Sequence, residues 1–124
     1  MQTATVPTFA NSSNHLYISA PRQNDTSLSI KVSSDLPSSN IIIDVTSPDN
    51  RNIIVRLLNS EKKIIKTYSW YLMRGRNITS IKNYDQLESG LYKLQIMKIG
   101  GDIIFSSQLT LSPVRIYPLL RLHL

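Results

Sequence analysis

The chain has 124 residues, a length that suits one domain around one core. Hydrophobic residues make up 41%, enough to build that core and to exclude wholesale disorder. There is no cysteine, so disulfide scaffolds, thiolate metal sites and cysteine nucleophiles are excluded, and the net charge of +6 comes from dispersed cations.

In chain order, residues 1–14 are polar and read as a flexible lead-in, with Pro7 and the run Asn11, Ser12, Ser13, Asn14. They lack the basic and apolar regions of a signal peptide and read as the start of a mature exported chain behind an added methionine. "HLYISA" alternates Leu16, Ile18 and Ala20 against Tyr17 and Ser19 and predicts a short strand. "SLSIKVS" turns Leu28, Ile30 and Val32 one way and Ser29 and Lys31 the other. "IIIDV" and "IIVRLL" follow, separated by the turn cluster around Pro48. Residues Leu57 to Ile65 also fit a helical spacing. The turn residues Asn59 and Ser60, with β-branched and aromatic flanks, favour a hairpin into "IIKTYSWYL" instead.

"RGRN" predicts a turn into "ITSI", and "KNYDQLESG" a loop. "LYKLQIM" sets Tyr92, Leu94 and Ile96 against Lys93 and Gln95. The glycines of "IGGD" suit a tight turn into "IIFSSQLTL", with Ile103, Phe105, Leu109 and Leu111 in register. The expected fold is all-β: one Ig-like or fibronectin-III-like antiparallel sandwich of seven to eight strands over residues 15–112. Residues 113–124 form an apolar extension. Pro113 and Pro118 bar it from a central strand, and it is expected to pack as an edge segment or to mediate self-association into a homodimer.

Little in the sequence points to chemistry. His15 and His123 lie near the two ends, too few to build a metal site without other ligands. Most of the eight carboxylates fall in loops or turns, with no favoured pair. No Gly-x-Ser-x-Gly elbow or phosphate-cradling glycine loop occurs. No catalytic residue, metal or cofactor is therefore expected, and the chain reads as a non-enzyme. No apolar run approaches the ~20 residues of a membrane-spanning helix. Nucleic-acid binding wants aromatics interleaved with a basic stripe, and Trp70 and Tyr71 before Arg74 supply only a faint version. Candidate interaction residues are Trp70 and Tyr71, which point to opposite faces of one strand, and the cations Lys62, Lys63 and Lys66. Asn-x-Ser/Thr sequons stand at Asn11, Asn24 and Asn77.

From about Leu36 to Leu111, about three fifths of the chain, the sequence resembles the C-terminal sorting domain of Bacteroidetes type IX secretion cargo. The resemblance is carried by "LPSSNIIIDV", "NIIVRLLNSEKKIIKTYSW", "LESGLYKLQI" and "GGDIIFSSQLTL". Leu87, Ser89, Gly90, Leu91 and Tyr92 stand in that family's "L.sG.Y" motif, while Glu61 or Lys62 replaces its hairpin glycine. The resemblance implies a non-catalytic module, exported to the periplasm, cell surface or extracellular space and recognised there by an envelope translocon. The other reading is an adhesion or carbohydrate-binding module that stacks sugars on Trp70 or Tyr71.

Overall fold

The computed structural model describes residues 14–19 and 21–113. Of the expected lead-in (1–14) and extension (113–124), residues 1–13 and 114–124 lie outside the described residues, while Asn14 and Pro113 fall in strands and oppose each other. The strands are β1 (Asn14–Ile18), β2 (Arg22–Gln23), β3 (Ser29–Asp35), β4 (Asn40–Ser47), β5 (Arg51–Asn59), β6 (Ile64–Leu72), β7 (Gly75–Ile81), β8 (Gly90–Lys98) and β9 (Ile103–Pro113). Nine strands among the described residues exceed the expected seven to eight. Part of the excess is β2, a strand of only two residues.

All pairing is antiparallel, in two sheets. One has three strands in the order β3-β4-β7; the other has six, in the order β1-β9-β8-β5-β6 with β2 also on β9. Hairpins join β3 to β4, β5 to β6 and β8 to β9 within a sheet, β1 and β2 both lie on β9, and the remaining links cross between sheets. This is a β-sandwich of the Ig-like class in its fibronectin-III-like arrangement, with β1 and β2 added along the free edge of β9.

The period-two patterns position the core. Ile41, Ile43 and Val45 of β4 meet Ile53, Val55 and Leu57 of β5 and Leu94 and Ile96 of β8 in one buried cluster. Between sheets, side chains alternate inward and outward, as the pleat requires. Two bulges break that alternation. In β9, Ile103 opposes Met97 and Phe105 opposes Ile96, so Ile104 is the extra residue. Ile104 is consequently buried at 2% exposure while Ile103 is 39% exposed, which corrects the expected inward register of Ile103. In β6, Ile65 is extra, because Leu57 opposes Lys66 and Leu58 opposes Ile64.

The stretch from Leu87 to Tyr92 forms a corner between the sheets. Tyr92 enters the core at the start of β8, and its Oη–H donates to the Glu88 carbonyl four residues upstream at 2.7 Å. That bond from a tyrosine at this corner is a tyrosine corner, a hallmark of such sandwiches. Gly90, at φ +149°, supplies a backbone conformation closed to most side chains, and Leu87 packs against the core. Leu91 faces out and is exposed, so the plug at this end is Tyr92 with Leu87. Tyr92→Phe is expected to lower stability by about 0.5–1.5 kcal/mol, the value of one hydrogen bond. Urea unfolding checks this, and an unchanged midpoint would show that the bond is idle.

The loop before this corner holds a single 3₁₀ turn, Tyr84–Gln86, preceded by Asn83 in the left-handed region. Tyr84 is fully buried and its N–H donates to the Ser39 carbonyl at 2.8 Å, fastening the turn to the β3–β4 hairpin.

Candidate interaction surface

The β5–β6 hairpin carries most of the residues singled out in the sequence. Asn59 organises it: its Oδ1 accepts the N–H groups of Glu61 and Lys63, both at 2.9 Å. Lys62 sits at φ +66°, the left-handed position that glycine favours, so the sequence departs from the glycine pattern where the backbone turns. The asparagine side chain holds the turn while lysine occupies the strained position.

The hairpin leads into β6, the outer strand of the six-stranded sheet. One side of β6 pairs with β5; no strand among the described residues pairs with the other side. Ile64 and Ile65 are exposed at 50% and 41%, and Lys62, Lys63 and Lys66 flank them, all exposed. Trp70 and Tyr71 point to opposite faces, as alternation requires. Trp70 opposes Ile53 and packs against the core, so its ring serves the sandwich; Tyr71 is exposed. The hairpin thus brings Ile64, Ile65, Lys62, Lys63 and Lys66 together, and Tyr71 lies at the far end of the same strand. Of the "L.sG.Y" motif, Leu91 and Tyr92 border the same hairpin: Tyr92 opposes Asn59, and both motif residues line a depression with Lys62. Sequence reasoning passed over Ile64 and Ile65, because an apolar pair in a strand reads as core. Only the edge position of β6 and the bulge at Ile65 turn them outward.

The opposite sheet presents a polar face. Asp44 accepts from Arg76 Nη2 at 2.9 Å, and these bonds, then the charges of Arg76 and Lys31, hold its carboxyl below the ordinary aspartate range. Asp49 is likewise lowered by hydrogen bonds from Arg51, and Asp25 by those from Ser27. These carboxylates are anchored in their ionised form rather than poised to donate a proton. Among the described residues no three His, Asp or Glu side chains gather into a metal-holding group, and no helix is long and apolar enough to cross a membrane. Asn77, one of the sequon asparagines, spends its amide on structure: Nδ2 donates to the carbonyls of Met73 and Gly75 at 2.8 and 3.0 Å.

What fold and site define together is an Ig-like β-sandwich with one open, partly apolar sheet edge ringed by lysines. No protein-family profile and no curated protein matches the chain.

Proposed function

We propose that this chain is a non-catalytic recognition module that takes an extended segment of a protein partner onto the open edge of β6. The observation that carries the reading is the composition of that edge. Native sandwiches blunt their edges with short strands, charges and bulges. Here the lysines and the bulge at Ile65 are present, yet the strand runs nine residues and leaves Ile64 and Ile65 in water. Strand addition suits such an edge: main-chain bonds give affinity and alternate side chains give selectivity.

The resemblance to type IX cargo supports a more specific role, in which the module is exported and the partner belongs to an envelope translocon. The "L.sG.Y" motif supports the fold more than this role, because the bond that Tyr92 makes is the tyrosine corner, a hallmark of such sandwiches. Sugar stacking draws no support from Trp70, which packs on the core.

The test fuses the domain to a reporter in a type IX-competent host, with an Ile64→Lys/Ile65→Lys variant beside it. Both side chains are exposed, so the variant is expected to keep its melting midpoint, with a change within about 0.5 kcal/mol. The wild-type fusion is expected outside the outer membrane and the variant in the periplasm. Periplasmic retention of the wild type would remove the sorting role, and normal export of the variant would remove the edge.

A further inference from the structure

Charge is distributed unevenly between the two sheets. The strands of the six-stranded sheet contain no aspartate or glutamate, whereas they carry Arg22, Arg51, Arg56, Lys66, Lys93 and Lys98. The three-stranded sheet mixes Asp35 and Asp44 with Lys31 and Arg76. Arg51 is paired with Asp25 and Asp49 from the flanking loops, whereas Lys93 on β8 and Lys62 in the adjoining hairpin make no ion pair among the described residues, so the potential near those two lysines is positive.

That potential coincides with a depression of about 380 Å³ on the outer face, beside the β5–β6 hairpin. Its walls include Leu58, Leu91, Lys62, Lys93, Gln95 and Gln108. Register explains the grouping: Leu58 and Gln108 both oppose Lys93 from its two neighbouring strands, and Ile64 opposes Leu58. Leu91 is 48% exposed, so the floor and rim combine open apolar surface with cations. Neither Lys62 nor Lys93 makes an ion pair among the described residues. Beneath them Gln95, only 9% exposed, accepts from Arg56 Nη2 at 2.9 Å, while Arg56 Nε is buried without a hydrogen-bond partner among the described residues. The lysines are therefore uncommitted, and a fixed guanidinium–amide pair lies next to them.

We infer that this depression is a second recognition surface, taking an acidic protein segment that also bears apolar side chains. Leu58 and Leu91 would receive the apolar groups; Lys62, Lys93 and the Arg56–Gln95 pair would receive the carboxylates. Charge complementarity selects an acidic partner, and the apolar floor selects a partner with more than charge to offer. This goes beyond the edge reading, because the depression lies on the face of β5 and β8, inboard of β6.

The test uses the full chain labelled with nitrogen-15 and three probes: a short peptide alternating glutamate and leucine, a short RNA, and phosphatidylglycerol vesicles. The peptide is expected to shift the amides of Leu58, Leu91, Lys93 and Gln95. The effect should fade with salt and weaken by at least about tenfold in Lys62→Glu/Lys93→Glu, equivalent to about 1.4 kcal/mol. Leu91→Asp, at an exposed position, is expected to weaken binding as well and replaces the double variant should that one unfold. The inference is overturned if the peptide shifts no amide on this face, if it shifts only β6 amides, or if RNA or vesicles bind in preference to it. Shifts confined to β6 would leave the edge reading standing, so the two surfaces fail separately.

Discussion

Phe105→Ala is expected to lower the unfolding free energy by about 3–5 kcal/mol, the range for removing a buried phenylalanine. Phe105 is 1% exposed, sits on β9 opposite Ile96 and follows the bulge that re-aims its strand. Total stability for a domain is about 5–15 kcal/mol, so this loss would leave the protein marginal at ordinary temperatures. Urea unfolding measures it. Ile103→Ala, two residues away, provides the contrast, because the bulge leaves that side chain half in water. Its cost should be several-fold smaller. Equal losses at the two positions would show that the bulge at Ile104 is misplaced.

The second large effect concerns β1. Deleting residues 1–19 removes Leu16, which is 5% exposed in the core, and strips β9 of its partner from Leu109 to Pro113. Loss of Leu16 burial alone amounts to about 1.5–3 kcal/mol. The uncovered β9 would also become an unpaired edge that can pair with a second copy. The truncated chain is expected to melt earlier and to show a higher mass by light scattering. A truncated chain that keeps both the midpoint and the mass of the full chain would mean that β1 merely lies along the sandwich.

The strands themselves were legible in the sequence wherever alternation was clean. Leu28 just before β3, Ile30 and Val32 within it, and Tyr92, Leu94 and Ile96 in β8 turn inward as their spacing dictates. The helical spacing from Leu57 to Ile65 resolves as a hairpin, because Asn59 closes the turn with its own side chain. Bulges were not legible. An inserted residue flips the parity of every later position in its strand, and nothing in "DIIFSS" marks which isoleucine is extra. The burial of Tyr84 was hidden too, since it depends on a contact with Ser39, far away in sequence. As for the candidate surface, the lysines stood out as a cluster. The exposure of Ile64 and Ile65 and the depression beside Lys93 did not, because both arise from strand order, which residue spacing does not encode.

The antiparallel register of β1 on β9 sets Asn14 directly opposite Pro113. A pull applied between these two positions would therefore act across the ladder and open its bonds one after another, like a zipper. Shear along the strands, which loads many bonds at once, would require the pulling points to sit at opposite ends of the pair. The β1–β9 seam is thus mechanically soft along this axis, and under tension the peripheral strand would peel away while the remaining strands of the sandwich stay closed.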